Sequence, residues 1–337
     1  MDINALYQDL LKPSDRLLSD IAELDGDILI LGVGGKMGPS LARLAKQAVD
    51  AAGTKADVLG VARFSVPGLE HDLKSQGIKT FSADLLDDNQ LQQLPQAANV
   101  LYLAGTKFGT TGKEPLTWAM NSYLPGRVAE KYKHSRIVVF STGNVYPLLP
   151  TQSGGATENE VPQPVGEYAQ SCLGRERVFQ YFSSRHNTPT SIYRLNYAND
   201  VSYGVLVDIA KAVKEQRPVD LRMGFVNVIW QGEANELALR CLAHCSSPPT
   251  ILNITGPETS SVRRIATEFG KIFHIDPIFT NEEEPTALLS NAAECYRLFG
   301  PQQVTLKQMI GVIAGWVGAG GKTLNKPTHF QEREGKF

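Results

Sequence analysis

The stretch Asp25–Gly38, DGDILILGVGGKMG, decides how the rest of this sequence is read. Asp27–Leu31 is a short apolar run without the alternation of a half-exposed strand, which suits a strand buried on both faces of a parallel sheet. Gly32, Gly35 and Gly38 follow at G-x-x-G-x-x-G spacing, and Ser40–Ala52 then repeats apolar residues at helical intervals. A strand, a glycine loop and a helix in that order let backbone approach a pyrophosphate, whose charge rests on unpaired N–H groups at the helix N-terminus. Gly32, Gly34, Gly35, Lys36, Met37 and Gly38 are therefore expected at a dinucleotide.

Working outward, the 337 residues are 42% hydrophobic and 20% charged, the composition of a soluble globular chain able to bury a large core. Thirty-three basic residues against 35 acidic ones give a net charge of -2, so no general attraction to nucleic acid or to a membrane surface is expected. An anionic ligand must be met locally. The first residues carry early acids and no apolar core of a signal peptide, no run approaches a membrane span, and a cytoplasmic protein is expected. Cys172, Cys241, Cys245 and Cys295 are too few for a disulfide framework. Cys241 and Cys245 stand four apart with no further ligands, so no metal site is expected.

Ala5–Leu11 and Arg16–Leu24 read as two amphipathic helical pieces divided by Pro13, an addition ahead of the nucleotide fold. The second strand, Ala56–Ala62, ends at Arg63 with no acid. In dinucleotide folds a carboxylate there bonds the ribose 2′-OH, whereas an arginine accepts a 2′-phosphate. Arg63, with Lys36 as a second cation near the same ribose, favours NADP over NAD. After the third strand, Lys79–Ala83, Asp84 is placed for an adenine amino group or as the cap of a helix running through Leu94. The fourth strand, Asn99–Gly105, ends in small residues, Ala104 and Gly105, where a cofactor needs close backbone approach, and Lys107 follows at the carboxyl edge.

Trp118–Lys133 reads as a helix interrupted by Pro125 and carries Asn121. The fifth strand, Arg136–Phe140, runs into the hydroxyl pair Ser141-Thr142 at the same sheet edge as the glycine loop. Residues 148–164 read as a loop that folds over a substrate, Glu167–Phe182 as a helix with Tyr168 near its start, and Thr190–Leu195 as a sixth strand closing in Asn196-Tyr197. Beyond it come a helix at Leu206–Glu215, strands at Phe225–Ile229 and Thr250–Ile254, and helices at Gly232–His244 and Ser261–Ile272. The expected organisation is an α/β, Rossmann-type doubly wound parallel sheet within residues 1–195. A smaller substrate-binding lobe is expected over 196–337, with 225–254 returning to the first unit.

These ordered motifs resemble the extended short-chain dehydrogenase/reductase superfamily, in its NAD(P)-dependent epimerase/dehydratase branch. The resemblance rests on the glycine loop, Asp84-Leu85, Leu103-Ala104-Gly105, Asn121, Ser141-Thr142 with Val145-Tyr146, Tyr168, and Arg194 with Asn196-Tyr197. It implies hydride exchange at a nicotinamide, with Tyr168 moving the proton at the substrate oxygen and Thr142 bonding that oxygen. Leu85, Asn121, Ser141 and Asn196 fall among the cofactor positions. It also implies a sugar or nucleotide-sugar substrate and a homodimer through helices near 115–133 and 168–184.

The chain departs from the family pattern Y-x-x-x-K, because Tyr168-Ala-Gln-Ser-Cys172 puts cysteine where lysine lowers the tyrosine pKa. An unperturbed tyrosine, with a pKa of about 10, is ionised in only about one molecule in a thousand at pH 7. Lys107 is expected to supply the cation as a third catalytic residue; Arg175, one turn beyond Cys172, is the alternative. A chain that binds the dinucleotide without turning it over, as a redox sensor or scaffold, is the competing reading.

Overall fold

The computed structural model describes residues 7–107, 109 and 112–336. Its centre is a seven-stranded parallel sheet: β1 (Ile28–Leu31), β2 (Val58–Ala62), β3 (Lys79–Ser82), β4 (Asn99–Tyr102), β5 (Arg136–Thr142), β6 (Thr190–Leu195) and β7 (Thr250–Ile254). They lie in the order β7-β6-β5-β4-β1-β2-β3. β1 pairs with β2 on one side and β4 on the other, so the strand order reverses there and leaves a crevice at the carboxyl ends.

All four residues of β1 are buried, as its unbroken apolar run requires. Ile28 and Ile30 join the core on one face, with Leu41, Ala45 and Val49 of the helix Gly38–Ala52. Leu29 and Leu31 join the core on the other, with Leu91, Leu124, Val128 and Phe179. The helix Gly38–Ala52 starts with Pro39 in its first turn, where a missing N–H costs nothing, and stops at Gly53 in the left-handed region (φ 67).

A separate apolar cluster is built from the helices Val205–Lys214, Val262–Phe273 and Leu306–Gly318. β7 nevertheless belongs to the main sheet, and the helix Gln231–Arg240 packs on Gly38–Ala52. The helix Asp15–Ala22 also covers Gly38–Ala52. Ser14 caps it by accepting from Leu17 N, while the Ser14 hydroxyl donates to Glu236 at 2.5 Å. Of the expected helix Ala5–Leu11, residues 5 and 6 lie outside the described residues and 7–9 are helical.

Several local expectations change. The helix over Trp118–Lys133 is a helical run from Glu114 to Lys131 with a π-turn at Ala119–Tyr123; Pro125 opens the following piece and interrupts nothing. Asp87 caps the helix Asp88–Gln93, whereas Asp84 accepts from Leu86 N at 3.0 Å in the turn before it. The strand expected at Phe225–Ile229 is two two-residue pairings in different small sheets. The loop 148–164 docks on residues 286–291, through Leu149-Pro150 against Thr286-Ala287 and Ala156 against Ser290.

Candidate functional site

Two cavities run along the glycine loop at the strand-order switch, sharing Gly32, Gly35 and Leu103 in their walls. One, of about 220 Å3, lies over the end of β2 and takes in Gly34, Arg63, Asp84, Leu85, Ala104 and Gly105. The other, of about 280 Å3, lies over β5 and takes in Lys36, Met37, Gly38, Lys107, Ser141, Thr142, Tyr168 and Asn196. The glycines are where side chains have no space. A Cβ on Gly38 would lie 2.3 Å from the Val33 carbonyl oxygen, and one on Gly32 2.8 Å from Ala104 N. The loop is thus bare backbone between two hollows, which fits a dinucleotide laid across the sheet edge with its phosphates at the start of Gly38–Ala52.

Every residue expected at the site lines one of these cavities except Asn121. That side chain is fully buried in the π-turn, behind the site. Its amide donates to the Thr106 carbonyl and the Ser171 hydroxyl, and its carbonyl accepts from Thr106 N and Arg175. Asn121 therefore ties the loop bearing Lys107 to the helix bearing Tyr168 and lines neither cavity. Lys36 also departs from expectation. It points away from the β2 cavity and its Arg63, donating to the Ala198 carbonyl at 2.9 Å with its ammonium 4.0 Å from the Tyr203 ring centre.

Thr142 ends β5 and turns the chain into Gly143–Val145, accepting from Asn144 N at 3.2 Å. Its hydroxyl is also hydrogen-bonded to Tyr168, at the first turn of the long helix Gly166–His186. Burial pushes the Tyr168 phenol well above its ordinary pKa, and Cys172 adds to the rise. Tyr168 is accordingly a protonated donor at neutral pH. The Cys172 thiol is itself raised by burial, which argues against a thiolate nucleophile.

Two cations stand near Tyr168, Lys107 on the loop after β4 and Arg175 on the helix, and Arg175 opposes the rise in the phenol's pKa. Lys107 Nζ sits 5.8 Å from the Tyr168 ring centre, and burial lowers its pKa to about 8. Arg175 does not reach the cavity. Its guanidinium lies beneath Gly105, donating to the Phe140 carbonyl and to Asn121 Oδ1, each at 2.7 Å. It is a fixed charge behind the tyrosine, while Lys107 faces the open space.

Behind β5, Glu176 and Arg194 form a buried ion pair with contacts of 2.7 and 3.0 Å. Ser141 donates to Glu176 at 2.5 Å, and Arg194 donates to the Tyr146 hydroxyl at 2.6 Å, which in turn donates to Asn253 Oδ1 at 2.8 Å. This network fastens the end of β5 to the long helix and to β6 and β7.

Tyr203, Gly204, Val205 and Thr328 also line the β5 cavity, and no local motif announces them. Gly204, directly before the apolar helix Val205–Lys214, is the one available signal. Thr328 belongs to the C-terminal segment, anchored by its N and Oγ1 on Asp208 at 2.8 and 2.6 Å. That segment contributes to the cavity wall, a place the sequence suggested for the loop 148–164.

The parallel sheet, its strand order and the glycine loop at its switch point define a Rossmann-type protein of the extended short-chain dehydrogenase/reductase superfamily, with Cys172 at the position of the usual lysine. Within it the chain belongs to the NAD dependent epimerase/dehydratase family, whose sequence model matches residues 28–204. No curated protein sequence matches the chain.

Solved structures share the fold at low identity. UDP-glucose 4-epimerase from Thermotoga maritima superposes with a TM-score of 0.70 at 13% identity, over 87% of this chain and 99% of the other. UDP-glucuronic acid 4-epimerase from Bacillus cereus, in complex with NAD, gives 0.71 at 19%, over 86% and 96%. The epimerase Mth375 from Methanothermobacter thermautotrophicus gives 0.72 at 16%, over 90% and 96%.

Proposed function

We propose that this chain is an NAD(P)-dependent oxidoreductase or epimerase/dehydratase acting on a hydroxyl or carbonyl carbon of a sugar-like or small polar substrate. The observation that carries this reading is the Tyr168 hydroxyl bonded to Thr142 at the wall of a cavity that opens onto the glycine loop. The dinucleotide would lie across Gly32, Gly34, Gly35, Met37 and Gly38, with Ala104, Gly105, Asp84 and Leu85 at its adenosine half and Ser141 and Asn196 at its nicotinamide half. Arg63, at the end of β2 where no acid stands, supports NADP over NAD. The nicotinamide supplies or accepts the hydride.

Around it Thr142 orients the substrate oxygen and Tyr168 gives it a proton or takes one away. Giving a proton suits a phenol held protonated by burial. Taking one requires ionising it, and the Lys107 charge favours that ionisation. Tyr168→Phe tests the reading: turnover falls severely while dinucleotide affinity is retained, and an equally active variant removes Tyr168 from the mechanism.

We further propose the division of the chain near residues 195/196, with 225–254 returning to the sheet. A homodimer would form through the helical run Glu114–Lys131 and the helix Gly166–His186, where Leu116, Trp118, Tyr123 and Tyr181 are exposed. Among the described residues no helix is long and apolar enough to cross a membrane; cytoplasmic residence is part of the proposal. Cysteine in place of the helix lysine supports a second reading, a dinucleotide-binding redox sensor. A tight cofactor complex inert towards polyols, sugars, sugar acids and nucleotide sugars would favour it.

A further inference from the structure

We infer that the cavity over β5 takes a compact polyhydroxy substrate carrying one oxyacid group, a carboxylate or a phosphate, and that Lys36 and Lys107 bind that group. The inference rests on the dinucleotide reading above and names the substrate class for the same site. Its first support is the composition of the wall. Two lysines line the cavity, and among the described residues no aspartate or glutamate does. Asp200 and Asp208 lie outside that wall, close enough to favour the charged form of Lys36, and their oxygens are hydrogen-bonded elsewhere. Asp200 accepts from the Tyr7 hydroxyl at 3.1 Å and from Ser202 N and Oγ at 3.0 and 2.8 Å, and Asp208 is held by Thr328.

The second support is direction. Lys36 leaves the glycine loop on the side opposite Arg63 and is pinned there by the Ala198 carbonyl and the Tyr203 ring. The N–H groups of Gly32, Val33 and Gly35 are bonded within the fold, which leaves those at the start of Gly38–Ala52 for the cofactor phosphates, and the lysine side chain is displaced towards the substrate side. Burial of both ammonium groups, which lowers their pKa values to about 7 and about 8, makes an incoming anion a favourable partner for each.

The third support is size and polarity. Thr142 and Asn144 offer a hydroxyl and an amide suited to a polyol. Sites for drug-sized ligands run to roughly 300–1,000 Å3. A cavity of about 280 Å3 falls just below that range, which suits a small substrate beside a nicotinamide.

The test is calorimetric titration of the full chain, first with NADP+ and NAD+, then of the cofactor-loaded protein with gluconate, glucose 6-phosphate, glucose and UDP-glucose. One of the two anions should bind at least about tenfold more tightly than glucose. Preference for gluconate identifies a carboxylate, and preference for glucose 6-phosphate a phosphate. Lys36→Met should abolish the preference while dinucleotide affinity changes by no more than about threefold; Lys36→Arg, which keeps the charge, should retain it.

Glucose binding as well as both anions, or UDP-glucose binding more tightly than either, overturns the inference even if the variants fail to fold. So does a Lys36→Met protein that loses dinucleotide affinity in step with anion affinity, which would assign Lys36 to the cofactor. Absence of any dinucleotide binding overturns the proposed function together with this inference. Dinucleotide binding without anion preference overturns the inference alone.

Discussion

Replacing Gly38 by alanine asks the glycine loop to accept one methyl group where backbone already stands. The added Cβ would lie 2.3 Å from the Val33 carbonyl oxygen and 2.6 Å from Val33 C and Cα. Ordinary van der Waals contact begins near 3.4 Å, so the loop and the start of Gly38–Ala52 must part by about an ångström. Overpacking of this kind costs about 1–3 kcal/mol of stability. The greater effect falls on the ligand, because hydrogen bonds to phosphate weaken steeply once donors move beyond about 3.2 Å. Losing one such charged contact, worth about 1.5–3 kcal/mol, weakens dinucleotide binding by about tenfold to a hundredfold.

Gly53→Ala is the matched control. Gly53, unlike Gly38, has a left-handed φ (67), and a Cβ there meets nothing within 4 Å. It should lose about 1 kcal/mol of stability from the backbone alone, with dinucleotide affinity unchanged. Urea unfolding followed by tryptophan fluorescence gives the stabilities, and calorimetry gives the affinities. A Gly38→Ala protein that binds NAD(P) within about twofold of wild type would refute the placement of the phosphates on this loop.

Other consequences are as specific. Glu176→Gln leaves Arg194 buried without its counter-charge and should destabilise the protein by about 3–5 kcal/mol in urea titrations; a loss below about 1 kcal/mol would contradict the pairing, since that is the range of exposed pairs. Arg63→Ala should weaken NADP+ by about 1.5–3 kcal/mol while leaving NAD+ unaffected, and equal losses for both would remove Arg63 from the 2′-phosphate. Lys107 has a depressed pKa of about 8, so it carries its charge below that pH and loses it above. The advantage of wild type over Lys107→Met in substrate oxidation should therefore be largest below pH 8 and shrink as pH rises through it. A ratio independent of pH would exclude the lysine charge from the reaction.

The sequence was most legible where structure is set by neighbours in the chain. β6 and β7 fall at the residues expected of them, Thr190–Leu195 and Thr250–Ile254, because both runs are rich in β-branched and aromatic residues. The turn from β1 into Gly38–Ala52 was legible because glycine spacing is itself the constraint. Legibility failed where distant segments decide. Lys36 turns towards Ala198 and Tyr203, which lie far along the chain and give no signal beside the loop. Asn121 sits in a π-turn because its amide is claimed by Thr106, Ser171 and Arg175, and Pro125, the visible helix breaker, merely starts the next helical piece. Thr328 reaches the cavity through its anchor on Asp208, a pairing across the chain that no local pattern encodes.

The measurement closest to the central claim follows the near-ultraviolet absorbance of reduced nicotinamide when NADPH-loaded or NADP+-loaded protein meets oxidised or reduced sugar acids and sugar phosphates. Wild type should give an absorbance change that is lost in Tyr168→Phe, with both proteins holding the cofactor equally well. A change that survives in Tyr168→Phe would contradict it, as would a tight cofactor complex with which no such compound alters the absorbance or is converted to an isomer or a dehydrated product.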